Sequence, residues 1–461
     1  MHRLTCPFVF ALPLVACAAS SGDSDDGIAD ASDTSGPDSG DSDSSSGGAT
    51  TTSSTTSTST AESSSGDAPG STGGDSSTGE APVTGDRYVA VDGADVGDCS
   101  VDPCLTFAYA GQQLQSGEVL VVGDGVYPDA IDATTFPRGA AGAATVIRAA
   151  HRDAATITGV LSLYENDDLF LELVDLRFEG PDSKSVAAGN VRFVRATFVG
   201  GPPEGNTVNF AIGTNDFAPG AWDVSCEDCI FRGLGGRYAV LVYRATNVVL
   251  TRAVARKDGG WGEGAAESDP EGVITFYEAS DSRCEQCVAL DGLKQSGPTA
   301  EALGALVQNS HTDEHTNVAF VECLAIANAF PGIAFEGNGS VGSASVMDSY
   351  SVANTGNGIT ANVDGTIALT RIASLGNGGS GVASYGDGSV SLDDSIVGGN
   401  GGSDLDGVSG STNGAGPAAI DLGGFDSDRI RAELCDRAGE TRGLCATDDS
   451  FQAYLESHMD G

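Results

Sequence analysis

Two of the chain's three lysines, Lys257 and Lys294, fall between Gly235 and Lys294, together with Arg237, Arg252 and Arg256. Such a gathering of cations stands out in 461 residues that hold 65 acids against 22 bases and carry a net charge of −43. A Lys or Arg beside an acidic C–H can take its proton, and a pair of carboxylates can run acid–base hydrolysis. Lys257, Lys294 and Arg256 are therefore the candidate bases, and Asp258, Asp269 and Asp291 the candidate acids. Asp258, Asp269 and Glu271, with Glu263 and Glu267 between them, are of the type that supplies oxygen ligands to a hard cation. Arg237, Tyr243, Trp261 and Tyr277 are the candidate substrate contacts, the rings by offering flat apolar faces for stacking.

Cysteines form the second constellation. Cys226 and Cys229, then Cys284 and Cys287, show the two-residue spacing of zinc half-sites, and disulfides, buried thiols or a metal could each explain them. Disulfides are the expected state, as they are for Cys99 with Cys104 and Cys435 with Cys445. His311 and His315 are four apart, a ligand spacing only on a helix; between strands a surface loop is expected.

Those residues need a scaffold, and composition restricts it. Glycine at 65 residues with 6% aromatics favours a turn-rich β protein. The acidity excludes a phosphate-binding surface, so no nucleic-acid partner is expected. Residues 18–86 hold 13 acids and no base, and are Ser, Thr, Gly and Asp almost throughout. They bring too little apolar surface to fold and read as a self-repelling tether. Ahead of them, a short basic start, the apolar run Leu4 to Val15 and the Ala16–Cys17 junction resemble a bacterial lipoprotein signal. That resemblance implies cleavage before Cys17, acylation of its thiol, anchoring to a lipid bilayer and export, with Ala18–Ala19 directing outer-membrane or surface sorting. Export also favours disulfides.

Beyond the tether an internal repeat appears. Aligning Val248 to Ala255, Val318 to Ala325, Ala344 to Ser351, Ile367 to Ser374 and Val390 to Val397 defines an apolar marker before a polar corner: Phe193, Cys226, Leu250, Cys284, Phe320, Val346, Leu369 and Leu392. The markers are separated by 33, 24, 34, 36, 26, 23 and 23 residues, as one solenoid coil plus variable loops requires. Asn328, Asn354, Asn377 and Asn400 each stand eight residues after a marker and should stack as an internal amide ladder. Both cysteine pairs take the same two inward positions, with the Leu250 coil between them. Two strand spacings, ~9–10 Å, are too far for one zinc ion. Lys257 and Asp291 share a frame position, so a salt-bridged rung is the structural alternative to catalysis for that pair, and an inward core position is the alternative for Tyr277.

The strand–turn pattern of Tyr88 to Val91, the helix expected over Leu105 to Leu114, and the repeat together resemble right-handed parallel β-helix proteins of the pectate-lyase-like superfamily. The expected fold is an all-β, right-handed parallel β-helix. Its expected plan is a signal peptide over 1–16, lipidated Cys17 and linker over 17–86, an N-terminal cap over 87–127, the β-helix over 128–425 and a C-terminal helical cap over 426–461. In lyases of this fold a Lys or Arg takes the proton α to a uronate carboxylate while Ca²⁺ neutralises it. The resemblance thus implies polysaccharide, or a cell-surface glycan, as partner, engaged in a lateral groove walled by the excursions Lys257 to Gly272 and Lys294 to Gly304. Enzyme, whether lyase or glycoside hydrolase, and non-catalytic adhesion or glycan-binding module are the two functional readings.

Overall fold

The computed structural model describes residues 83–200, 208–213, 220–233, 238–256, 272–290, 292, 303–308 and 316–417, all within one unit of the chain, Ser77–Gly461. The His311–His315 pair and the expected Cys435–Cys445 bridge and C-terminal cap lie outside them. Every strand pairing in the described part is parallel, a few isolated bridges aside, and the strands stack in three ladders that the chain visits in turn. The chain is a parallel β-helix.

The first ladder carries the markers. Phe193, Cys226, Leu250, Cys284, Phe320, Val346, Leu369 and Leu392 are consecutive register partners, so the repeat read from the sequence is the physical coil. Two residues after each marker the chain turns through a left-handed residue: Arg195, Asp228, Arg252, Gln286, Glu322, Asp348, Arg371 and Asp394 have φ between 46° and 57°. A non-glycine residue in this region is strained. Hydrogen bonding across coils offsets that strain: the N–H of Arg195 donates to Glu227 O at 2.7 Å, that of Arg252 to Glu285 O at 2.8 Å and that of Arg371 to Asp393 O at 2.9 Å.

The second ladder has eleven strands, from Gly125–Tyr127 to Ile396–Gly398. One inward column runs Tyr127, Ile157, Phe178, Phe198, Phe231, Ala255, Ala289, Ala325, Ser351, Ser374, Val397. Phe178, Phe198 and Phe231 stack with centroids 5.1 and 5.2 Å apart. Further along, alanine and serine leave room for the amide ladder at the next corner. Asn328 Nδ2 donates to Asn354 Oδ1 at 2.9 Å, Asn354 Nδ2 to Asn377 Oδ1 at 2.9 Å and Asn377 Nδ2 to Asn400 Oδ1 at 3.0 Å. Each of these Oδ1 atoms also accepts the backbone N–H of the preceding asparagine, so no buried amide is wasted.

The glycines at this corner serve two needs. Gly376 and Gly399 adopt positive φ, 59° and 64°. Gly378 is required by close approach, since a Cβ there would lie 2.2 Å from Thr355 O.

The third ladder leads back to the first, and four strands, Leu161–Val174, Lys184–Val194, Ile333–Met347 and Ile359–Thr370, run unbroken through that bend. At the N-terminal end the helix spans Phe107–Gln113. The Thr106 side chain caps it by accepting from Tyr109 N, and Phe107 packs 5.3 Å from the Tyr127 ring.

Cysteines follow the frame with one correction. Cys99–Cys104 and Cys226–Cys229 are disulfides. Cys284 and Cys287, expected as a third, are thiols. A third thiol lies beside them: Cys323 occupies the column of Cys287 one coil later, with Sγ 3.5 Å from Cys284 O, while Cys287 Sγ lies 3.1 Å from Leu250 O. Burial pushes the Cys284 and Cys287 thiols up, favouring the protonated form.

Two outcomes test this packing. Asn354→Ala strips acceptors from Asn328 and a donor from Asn377, and should cost about 2–4 kcal/mol, read as a lowered urea midpoint, while Asn362→Ala on the exposed face leaves the midpoint unchanged. Cys284, Cys287 and Cys323 should escape maleimide in the folded protein and be alkylated without reductant once it is unfolded, as read by peptide mass spectrometry.

Candidate functional site

Along the third ladder residues alternate between the core and the outer face. Val242, Phe276, Phe335 and Ala361 are buried in the core. The residues following them, Tyr243, Tyr277, Glu336 and Asn362, stand on the opposite face and form one register column, with Gln308 between Tyr277 and Glu336. Four strand spacings make this column ~19 Å long.

Its two ends differ. At one, the rings of Tyr243 and Tyr277 have centroids 5.0 Å apart, and the Arg244 guanidinium lies 5.2 Å from the Tyr243 centroid. Arg244 Nε donates to Glu278 Oε2 at 2.5 Å, which raises the arginine's pKa and holds the cation over the ring. Phe276 takes the inward position, so Tyr277 is an outer-face residue and not part of the core column.

At the other end the column enters a cavity of about 360 Å³ lined by Phe330, Pro331, Glu336, Gly356, Asn357, Thr360, Asn362 and Tyr385. The turns from the second ladder to the third form one wall, and the third ladder is the floor. The amide ladder holds those turns: Gly358 must be glycine because a Cβ there would lie 1.9 Å from Ser374 Oγ, itself 3.2 Å from Asn377 Nδ2. Asn357 Oδ1 accepts Ser380 N at 2.7 Å, which aims its Nδ2 at Thr360 Oγ1, 3.1 Å away, and at the Tyr385 hydroxyl, 3.3 Å away. The Tyr385 side of the cavity is open, that residue being 57% exposed.

Of the site residues expected from the sequence, Tyr243 and Tyr277 are brought together on this face. Arg256 is fully buried at the end of the second-ladder strand Val254–Arg256. Arg252, grouped above with the groove cations, belongs to the corner instead: its Nε donates to Asp228 Oδ1 at 2.7 Å and its Nη2 to Glu227 Oε1 at 2.6 Å, which raises its pKa. Arg237, Lys257, Asp258, Trp261, Asp269, Glu271, Asp291 and Lys294 lie outside the described residues. The excursions that contain most of them leave the second ladder after Arg256 and Leu290 and rejoin the third at Gly272 and Leu303, the same corner that walls the cavity. Among the described residues no group of three or more His, Cys, Asp or Glu could hold a metal ion.

Glu336, Asn357, Asn362, Tyr385, Arg244 and Glu278 were not anticipated. A signal existed for two of them: Asn362 and Tyr385 stand seven residues before markers Leu369 and Leu392, as Tyr243 and Tyr277 do before Leu250 and Cys284. Glu336 breaks that count because its coil has a longer bend before the marker.

Lys184 is the one lysine among the described residues, and it has the depressed pKa of a base, about 8. It is not on this face. It pairs in register with Phe210 and is 2% exposed, with Nζ donating to Gly180 O at 2.8 Å. Burial without a carboxylate in hydrogen-bond contact lowers the pKa.

The sequence matches no family model and no curated protein. Among solved structures it is similar to the pectate lyase Pel9A, at 12% identity over 68% of this chain and 78% of that one, with a TM-score of 0.42. The alginate lyase from Paenibacillus sp. str. FPU-7 aligns at 12% identity over 66% and 98%, with a TM-score of 0.34. The Azotobacter vinelandii mannuronan C-5 epimerase AlgE4 A-module aligns at 12% over 68% and 92%, with a TM-score of 0.30. The site described above rests on the ladders themselves.

Because Lys184 is protonated more readily in the unfolded chain (ordinary value 10.5) than in the folded one (about 8), its burial costs stability below pH 8, and the cost fades as pH rises from 8 to 10.5. Lys184→Met should therefore be more stable than the parent at pH 7 by up to about 3 kcal/mol. The gap should close toward pH 10.5 in paired urea titrations; a gap that does not depend on pH would contradict the assignment.

Proposed function

We propose that this protein binds polysaccharide along the outer face of the third ladder, as an exported β-helix anchored through acylated Cys17 and held off the outer membrane by residues 17–86. The observation that carries the reading is the column Tyr243, Tyr277, Gln308, Glu336, Asn362, which joins a stacked aromatic end to a cavity rimmed by amides, hydroxyls and the Tyr385 ring. Sugar rings offer an apolar face edged by hydroxyls, and a protein holds them with aromatic planes beside planar amides and carboxylates. A ladder presents such groups at a constant period, which suits a polymer rather than a single small molecule.

Binding without cleavage is the reading adopted. Among the described residues the cavity is lined by one carboxylate, Glu336, and by no Lys, Arg or His, whereas a lyase needs a base and a hydrolase a second carboxylate. Cleavage on this scaffold would fall to Lys257 or Lys294 as base, with Asp258, Asp269 and Glu271 holding Ca²⁺.

The test is retention of the full chain on immobilised glycans, run beside ultraviolet detection of unsaturated product with and without Ca²⁺. Retention should weaken about tenfold, equivalent to about 1.4 kcal/mol, in Tyr277→Ala and in Tyr385→Ala, with no product formed. Failure to hold any glycan, or retention indifferent to both substitutions, would overturn the binding face; Ca²⁺-dependent product would make the protein a lyase.

A further inference from the structure

We infer that the outer face of the second ladder is a docking surface for the chain's own residues 418–461, which fold back along the side of the stack and seal it rather than lying across its end.

Ala255, Ala289 and Ala325 of the second ladder belong to the main core, so the residues on either side of them point outward. One outward column runs Val254, Val288, Leu324, Tyr350, Ala373 in register. The other runs Leu290, Ile326, Val352, Leu375. All nine are at most 6% exposed. They form a hydrophobic cluster separate from the main core, and every member lies on a second-ladder strand or directly after one. A sheet face does not bury itself, so a further layer lies over these coils. The same column is bare where it begins: Val126, aligned with Val254 through Thr156, Arg177, Thr197 and Ile230, is 62% exposed. Burial therefore sets in where the outward residues turn apolar, as a built contact requires.

The path of the chain points to the occupant. The described residues end at Pro417, beside the last strand of this ladder. There Val397 N donates to Thr412 O at 3.0 Å, and Gly416 lies so close to the outward side chain of Ile396 that a Cβ on it would be 2.5 Å from Ile396 Cδ1. Ile396 continues the first column after Ala373, so residue 418 starts at the edge of the apolar face. Residues 418–461 bring ten Ile, Leu, Phe, Tyr or Met side chains. Phe451, Tyr454, Leu455 and Met459 have the spacing of one apolar helix face, and Ile430 and Leu434 are one turn apart. From Val254 to Ile396 the column is ~24 Å long. Helices over 428–435 and 450–459 would be ~12 and ~15 Å long, a matching span. The excursions after Arg256 and Leu290 are poorer covers: 257–271 and 291–302 bring one large apolar side chain each, Trp261 and Leu293, and return to the third ladder. Left uncovered, a flat apolar face of this size would join copies of the protein.

The experiment is photo-cross-linking within the full chain, with a benzophenone side chain in place of Tyr454 and the products read by peptide mass spectrometry. Cross-links should fall on second-ladder strands between Val254 and Ile396. Products confined to residues 401–416 at the end of the stack, to the excursions, to the third ladder or to another copy of the chain would overturn the inference, as would no product at all. A second readout is Nile red emission at constant far-ultraviolet circular dichroism. Leu455→Asp should lift the segment and raise the emission with a blue shift, while Ser457→Asp, on the opposite side of the same helix pattern, should leave it dark. Equal emission from the two variants would count against docking.

Discussion

A coil of this protein has no finished hydrogen bonding of its own, and its partners are in the coils on either side. The internal amide ladder shows how strict that dependence is. Asn328, Asn354, Asn377 and Asn400 are buried or nearly so, and each carboxamide links its neighbours through side-chain and backbone N–H groups at once. An amide removed from water without partners is expensive, so one coil out of register would strand several polar groups together. The ladder also decides the shape of the corner above it. Those turns carry Phe330, Pro331 and Asn357, so the cavity wall is a consequence of buried amide chemistry a few ångströms below.

The first corner solves a related problem with charge. Its left-handed residues are polar in every coil from Arg195 to Asp394, and where opposite signs meet they pair: Arg195 with Asp175, Arg252 with Asp228, Arg371 with Asp348. The Asp175 and Asp228 carboxylates are buried, so pairing spares each the cost of a stranded charge. The pairing also acts on register, since shifting one coil would set like charges above one another in a chain that already has 43 more negative than positive groups. Placing Arg252 in this corner rather than in the groove follows from that economy: scarce cations are used where stacked carboxylates would otherwise repel.

The interior changes along the axis, and the outer face changes with it. Stacked phenylalanines fill the second-ladder column between Phe178 and Phe231, while alanine and then serine replace them where the amides begin. The cavity lies over the amide-rich part, where glycine-containing turns can pass close to the core. The paired tyrosines lie over earlier coils, where the bend between third and first ladders brings Arg244 and Glu278 beside the rings.

Much of this was readable in the residue order, because a solenoid converts sequence distance into spatial neighbourhood by a nearly constant period. The markers from Phe193 to Leu392 and the asparagines eight residues after them follow from that period alone, whereas it gave the Cys226–Cys229 and Cys284–Cys287 pairs the same expectation and left Tyr277 open between core and outer face. What escaped it depends on contacts that the period does not encode. Glu336 sits in a coil whose bend is longer than its neighbours', so counting from the marker misses it. Cys284 and Cys287 stay thiols with Cys323 from the next coil beside them, and Arg252 is held in a corner by the carboxylates of Glu227 and Asp228 one coil earlier. Spacing along the chain thus determined which residues share a column; only the folded stack decided what each meets sideways, because those partners belong to other coils and are chosen by distance and charge.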